Sequence, residues 1–179
     1  GEGVRGFMKK LLPRLTKPML LDADGLNACG RDWGIIKNCS APKVITPHPG
    51  EMARLTGKSV AEILSDPLWA ALCYAEQSGA VTLLKDASTV IAAPDGRFFV
   101  NPTGSSALAK GGSGDVLSGC IAAFLAQGVE PFLAAALGAY LHGRAGELCG
   151  FEQTEYSPMA REIADKIPAA INSLWKAFS

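Results

Sequence analysis

The feature that most constrains the fold of this chain is the alternation of short apolar runs with longer helical patterns. Apolar runs at 18–24, 43–47 and 80–86 each end in polar residues, and stretches with apolar residues at three- and four-residue spacing lie between them and after them. This order is typical of a parallel sheet whose strands are joined by crossover helices. The sequence therefore predicts an α/β fold of three layers, with helices on both faces of a mostly parallel sheet.

Two further apolar runs follow closely, at 88–94 and 97–100. Pro94, Asp95 and Gly96 between them are residues that favour a tight turn. These two runs are predicted to form an antiparallel hairpin at one edge of the sheet.

Helices are predicted from apolar spacing, with prolines near helix starts and glycines near helix ends as further signals. The predicted ranges are 4–14, 50–56, 67–78, 114–127, 131–149 and 158–176. Gly128 and Gly150 are predicted to end the fourth and fifth of these helices.

The last predicted helix carries aliphatic side chains at helical spacing, which predicts one buried face. These side chains are Ile163, Ile167, Ile171 and Leu174. Pro168 lies among them and is expected to kink the helix, since proline removes a backbone hydrogen bond there.

Charge and hydropathy exclude several classes of function. The 17 basic residues balance the 17 acidic ones, so no net field favours nucleic acid or an anionic membrane. No window of about 18 apolar residues is present, and the N-terminus lacks the order of a signal peptide. At 179 residues the sequence predicts a single domain in a cytoplasmic protein.

Metal and disulfide sites are poorly supported by the residues available. The five cysteines are widely spaced and form no CxxC pair, which favours reduced core residues over a disulfide framework or a zinc site. The only histidines are His48 and His142. His142 lies in a helical pattern, and its position favours a packing role.

Polar residues follow each of the first three predicted strands. In open α/β sheets, ligands bind beyond the carboxyl ends of the strands. Asp22 and Asp24 follow the first strand, and either bind magnesium or cap the next helix. Lys85 ends the third strand, and either contacts a phosphate or faces solvent. The segment 46–57 after the second strand either presents polar groups to a ligand or forms a rigid turn.

The segment 111–120, GGSGDVLSGC, places glycines directly before a predicted helix. Glycines let backbone N–H groups converge on an anion, and a helix N-terminus favours negative charge. A phosphate site is one interpretation, and a glycine-rich packing turn is the other. Asp115 favours the first, because an acid beside a phosphate site is useful if it accepts the proton of an attacking hydroxyl.

Taken together, several segments resemble one family over residues from about 20 to 150. They are LDADGLN, TPHPGEMARLTG, TLLKDASTVIAAPDG, NPTG, GGSGDVLSG and AYLHGRAG. In this order they are similar to the ADP- or ATP-dependent NAD(P)H-hydrate dehydratases, a carbohydrate-kinase-like family with the ribokinase-like fold. The glycine segment alone would indicate only the wider superfamily of sugar, vitamin-precursor and thiazole kinases.

The resemblance implies repair of a hydrated nicotinamide ring at the expense of a nucleotide phosphate. Hydroxide leaves poorly, so the ring hydroxyl is phosphorylated first and phosphate then departs. Asp115 is implied as the base, and Gly112 and Gly114 as catalytic residues of the anion hole. ADP or ATP and Mg²⁺ are the implied cofactors, with no metal ligands assigned.

The resemblance also implies binding residues. The hydrated NADH or NADPH would be contacted by Asn27, His48, Pro49, Gly50, Glu51, Met52, Ala53, Arg54 and Asp115. The nucleotide would be contacted by Lys85, Asp86, Ala87, Ser88, Thr89, Ser105, Ser106, Ala107, Leu108, Ala109, Lys110, Gly111, Gly112, Ser113 and Gly114.

The family's domain begins upstream of the matched segments, with further strands and a glycine-rich GPG segment. Residues 1–179 are therefore expected to be a single, N-terminally truncated part of that domain. The resemblance further implies a homo-oligomer, with a tetramer as one possibility, and an epimerase fused to it or working with it. The alternatives are a small-molecule kinase of the same superfamily and an inactive nucleotide-binding remnant.

Overall fold

A computed structural model describes residues 2–156 and 158–176. Its sheet has five strands in the order β1-β2-β3-β4-β5. They are β1 (Met19–Leu21), β2 (Lys43–Ile45), β3 (Val81–Leu84), β4 (Val90–Ala92) and β5 (Phe98–Val100). Each lies within a predicted apolar run, and each is shorter than its run.

The sheet is mostly parallel, as predicted. β1 pairs with β2 and β2 with β3 in parallel, whereas β4 is antiparallel to both β3 and β5. All strands except β4 therefore run in the same direction. The predicted hairpin is confirmed, with Ile91 opposite Phe99, and β5 forms an edge of the sheet.

All six predicted helices are present, with small shifts at their ends. They are α1 (Glu2–Leu11), α4 (Pro49–Thr56), α6 (Pro67–Ser78), α7 (Ser113–Ala126), α8 (Pro131–Glu152) and α9 (Ala160–Lys176). The sequence missed three short helices, α2 (Ala23–Cys29), α3 (Trp33–Lys37) and α5 (Val60–Ser65). Two 3-10 turns lie at Leu12–Arg14 and Ser106–Leu108.

Of the two glycines predicted to end helices, only Gly128 does so. It follows α7 with a φ of +83°, in the left-handed region that glycine tolerates. The prediction for Gly150 was wrong, because α8 continues to Glu152. A Cβ at Gly150 would make only ordinary contacts, the nearest 3.4 Å from Cγ of Glu155, so the packing of α8 does not require a glycine there.

Helix α9 runs through Pro168 and buries Ile163 and Ala170. Ile167 and Leu174 pack against the same cluster. The prediction for Ile171 was wrong, since 46% of its surface is exposed. The buried stripe passes through Ala170, at a spacing of three and four residues, and leaves Ile171 at its margin.

The core lies on both faces of the sheet, which confirms the three layers. Ile45 and Leu84 point to one face and join the cluster formed with α2 to α6. Val44 and Leu83 point to the other face and pack with α7 and α8. This alternation follows from the two-residue period of a strand. It places α4 and α7 on opposite faces of the carboxyl edge of the sheet.

Two observations bear on the environment of the protein. Over residues 2–156 and 158–176, none of the helices combines the length and the apolar character needed to cross a bilayer. All five cysteines lie within these ranges, and each is a free thiol.

Candidate functional site

A cavity of about 690 Å³ opens beyond the carboxyl ends of β2 and β3. His48 lies on its β2 side, and Lys85 and Asp86 lie on its β3 side. The start of α7 and the middle of α8 close the other walls. The cavity therefore lies at the sheet edge where ligands bind in α/β folds.

Most of the residues expected at the nucleotide line this cavity. They are Lys85, Asp86, Ala87, Thr89, Ser105, Ser106, Leu108, Ala109, Lys110, Ser113 and Gly114. Four others do not line it, namely Ser88, Ala107, Gly111 and Gly112. Ala107 is fully buried under the 3-10 turn, which explains its absence from the wall.

The residues expected at the hydrated cofactor are placed differently. His48 lines the cavity, whereas the remaining members of that set do not. Met52 is fully buried in the core. Arg54 donates from Nε to Oδ1 of Asn27 at 3.0 Å, so these two side chains contact each other on the exposed side of α2 and α4.

The glycine segment turns sharply into α7 at Gly112, which has a φ of +85°. The N–H of Asp115 and the N–H of Val116 both point back to the carbonyl of Gly112, at 3.1 and 3.3 Å. Ser113 and Gly114 form the cavity wall at the positive end of the helix. Asp115 is exposed in the first turn, outside the wall itself.

His48 and Glu51 form a reciprocal cap at the start of α4. Nδ1 of His48 accepts from the N–H groups of Gly50 at 3.0 Å and Glu51 at 3.3 Å, while Glu51 Oε2 accepts from the His48 N–H at 2.9 Å. Because Nδ1 is an acceptor, the neutral ring carries its proton on Nε2. The segment is thus a rigid turn that also presents His48 to the cavity.

The His48 ring lies so close to the backbone of Gly50 that the cap requires a glycine at this position. A Cβ at Gly50 would lie 2.8 Å from Cε1 of His48, closer than real Cβ atoms come to a ring. The glycine therefore lets the imidazole fold back over the helix start.

Lys85, at the end of β3, is held by Asp22 at the end of β1, and β2 lies between these two strands. Nζ of Lys85 donates to Oδ1 of Asp22 at 2.8 Å, and Oγ of Ser118 donates to Oδ2 at 2.9 Å. Asp22 stands at the N-cap position of α2, but its side chain caps nothing. Partial burial opposes its ionisation, yet Lys85, Ser118 and Thr46 outweigh this and hold the pKa of Asp22 below its ordinary value.

Lys110, which was expected at the nucleotide, contacts the segment after α8. Its Nζ donates to the carbonyl of Tyr156 at 2.6 Å. Ser106, four residues earlier, donates to the carboxylate of Glu155. These two bonds fasten the segment after α8 to the cavity wall formed by 105–110.

His142 was interpreted from the sequence as a packing residue, and the structure adds a second feature. It is buried in α8, it lines the cavity, and its Nε2 lies 3.0 Å from Oγ of Ser113 in the glycine segment. Burial lowers the pKa of His142 to about 4, and the bond with Ser113 only partly opposes this. The sequence signal for this contact was weak, because the two residues are 29 positions apart.

The lowered pKa of His142 predicts a pH dependence of stability. His142 binds its proton with a pKa near 6.5 in the unfolded chain and about 4 in the folded chain. The neutral ring therefore contributes fully to the free energy of unfolding above pH 6.5, and this contribution is lost as pH falls from 6.5 towards 4. We expect a loss on the order of 2 to 3 kcal/mol in the free energy of unfolding over this window.

Urea unfolding at pH 4.5 and pH 7 measures this loss. His142→Gln keeps a polar partner for Ser113 but cannot titrate, so the difference between the two pH values should shrink in that variant. An unchanged difference would assign the pH dependence to other groups.

The described residues contain no group of three or more His, Cys, Asp or Glu side chains placed to hold a metal ion. Both carboxylate oxygens of Asp22 are already hydrogen-bonded, to Lys85 and Ser118. The side chains on this edge therefore do not form a dedicated Mg²⁺ cage. A nucleotide would bring Mg²⁺ bound largely through its phosphates and water.

The sheet, the helices on both faces and the cavity at the carboxyl edge define an α/β protein of the ribokinase-like class. The chain superposes on a ribokinase-like superfamily protein of Enterococcus faecalis with a TM-score of 0.75 and 27% identity, covering 94% of this chain and 58% of the other. More specifically, residues 3–169 match the family profile described as NAD(P)H-hydrate dehydratase. The chain belongs to this family.

Two relatives are more similar. A bifunctional NAD(P)H-hydrate repair enzyme of Moorella thermoacetica is 48% identical over 168 residues, which cover 94% of this chain and 32% of that protein. The ADP/ATP-dependent NAD(P)H-hydrate dehydratase of Bacillus subtilis, co-crystallised with ATP and Mg²⁺, has a TM-score of 0.85 at 36% identity. The match covers 100% of this chain and 61% of that structure. The chain thus spans about a third to three fifths of these relatives.

Proposed function

We propose that this chain carries the nucleotide site of an ADP- or ATP-dependent NAD(P)H-hydrate dehydratase. The observation that carries the proposal is the cavity in which Lys85, the first turn of α7 and His48 meet. A lysine close to a helix N-terminus suits a nucleotide phosphate. A rigid histidine in the same cavity suits a second ligand.

The proposed chemistry transfers the terminal phosphoryl group of the nucleotide to the ring hydroxyl of hydrated NADH or NADPH. The hydroxyl oxygen forms a bond to phosphorus as the bond from phosphorus to the leaving oxygen breaks, and Asp115 takes the hydroxyl proton. Phosphate then leaves the ring with assistance from the ring nitrogen's electrons, and the ring loses a proton to restore the reduced nicotinamide. Asp115 directly follows Gly114 of the cavity wall and is exposed in the first turn of α7, which supports this role for its carboxylate.

The backbone at the start of α7 would supply the anion hole of this transfer. Gly112 takes the left-handed conformation that turns the chain into the helix, and Gly114 leaves the wall free of a side chain. Backbone N–H groups fixed in this way stabilise charge on the transferring group without reorganising. Mg²⁺ bound to the nucleotide would neutralise part of the phosphate charge when present.

The wider setting of the site is also part of the proposal. Residues 1–179 would form part of a single dehydratase domain, which the match over residues 3–169 supports. Work beside an epimerase is supported by the bifunctional relative. A cytoplasmic location is supported by the free cysteines, since reduced thiols persist in that compartment. A homo-oligomer, with a tetramer as one form, completes the proposal.

A direct assay tests the proposed activity. The protein as encoded by its gene is incubated with chemically hydrated NADH and either ADP or ATP, and the absorbance of the reduced ring is followed. We expect recovery of absorbance with at least one nucleotide and none without nucleotide. No recovery with either nucleotide would reject the proposal, and a phosphorylated sugar or vitamin precursor formed instead would identify a kinase.

A further inference from the structure

The ion pair between Asp22 and Lys85 joins parts of the chain that are 63 residues apart. Asp22 follows β1, Lys85 follows β3, and Ser118 extends the contact to the second turn of α7. The three side chains therefore connect two strand ends with the helix that begins the candidate anion site. We propose that Asp22 is a positioning residue, which holds the ammonium of Lys85 at the first turn of α7. This inference rests on the proposed function.

The ion pair lies beside Gly114 in the first turn of α7. A Cβ at Gly114 would lie 3.7 Å from Nζ of Lys85 and 3.9 Å from Oδ2 of Asp22. The ammonium is thus packed beside the same backbone that forms the cavity wall. A phosphate placed at the start of α7 would meet the helix N-terminus and the lysine together.

Asp22 does not consume the binding capacity of Lys85. The ammonium has three N–H groups, and the bond to Oδ1 of Asp22 uses one of them. The side chains of Lys85 and Asp22 are 21% and 15% exposed, so the pair is only partly open to water. The lysine side chain is a flexible four-carbon chain that loses conformational entropy when it binds an anion. Because Asp22 already restricts this side chain, the entropy cost of binding is smaller.

The two roles predicted for Asp22 from the sequence account less well for these contacts. Its side chain does not cap α2. Both of its oxygens are hydrogen-bonded to protein, to Lys85 and Ser118. In this structure the Asp22 carboxylate orients the ammonium group of Lys85.

Calorimetric titration of ADP into the protein as encoded by its gene tests this role. Asp22→Ala should weaken ADP binding about tenfold, while Asp22→Asn, which keeps an acceptor oxygen, should weaken it less. Asp24→Ala is the matched control, because this substitution removes the same charge as Asp22→Ala. Asp24 is an exposed acid in the first turn of α2. It should leave ADP affinity within twofold of the parent protein.

The decisive measurement is the double variant. If Asp22 acts through Lys85, Asp22→Ala should change ADP affinity less than twofold in a Lys85→Met background. An equal loss in both backgrounds, or no loss in the parent protein, would overturn the inference. If the parent protein binds ADP and Asp22→Ala leaves that unchanged, the inference fails and the proposed function stands. If the parent binds neither ADP nor ATP, both fail.

Discussion

Asp115→Asn is expected to lower turnover of hydrated NADH by about two to four orders of magnitude, the range that a general base contributes. Asparagine has nearly the same size as aspartate but cannot accept the hydroxyl proton. Asp115 makes its contacts to the helix through its backbone, with its N–H directed to Gly112, so the start of α7 should be kept. ADP affinity is therefore expected to change less than about threefold.

Asp165→Asn on α9 is a suitable control, since Asp165 is exposed and lies outside the cavity wall. Turnover is followed by recovery of NADH absorbance, and ADP affinity by calorimetry. Retained turnover in the Asp115 variant would remove this residue from the role of base. Loss of ADP binding in parallel with turnover would instead indicate that the loop itself had changed.

The layered fold could be predicted because each strand lies in a short apolar run, and longer helical patterns lie between the first three of these runs. Ile45 and Val44 face opposite layers, as two-residue alternation requires. The short helices α2, α3 and α5 were missed because helices of five to seven residues are too brief to show a helical period. They form through local caps, such as the bonds between Ser59 and Glu62 at the start of α5.

The candidate site could be predicted only where local sequence determines local structure. The glycine turn before α7 and the proline-rich turn before α4 are of this kind. The pairing of Asp22 with Lys85 and of Ser113 with His142 depends on which strands and helices become neighbours. Nothing in the segments themselves encodes that adjacency, so Asp22 was interpreted as a cap or a metal ligand.

Gly143 is the glycine of α8 at which added volume should be most damaging to the cavity wall. A Cβ there would lie 2.1 Å from Oγ1 and 2.7 Å from the carbonyl carbon of Thr103. Thr103 cannot easily withdraw, because its hydroxyl lies 2.9 Å from the carbonyl of Tyr140, and Asn101 donates to the carbonyl of Ala139 at 3.2 Å. The segment 101–104 is thus fastened to the same helix that would push it away.

Gly143→Ala is therefore expected to lower the free energy of unfolding by about 3 kcal/mol, at the upper end of typical overpacking costs. ADP affinity should fall as well, since Gly143 and Thr103 both line the cavity. Urea unfolding and calorimetric titration measure the two effects.

Gly119→Ala is the same glycine-to-alanine change as Gly143→Ala, but it is expected to raise the free energy of unfolding rather than to lower it. Gly119 lies within α7, and a Cβ there would meet nothing within 4 Å. Alanine should stabilise the helix by about 0.5 to 1 kcal/mol, because glycine loses more backbone freedom on folding. If Gly143→Ala stabilised the protein as Gly119→Ala is expected to do, helix propensity rather than the contact with Thr103 would govern the effect in α8. The close approach of α8 to the segment 101–104 would then not be the constraint that shapes this cavity wall.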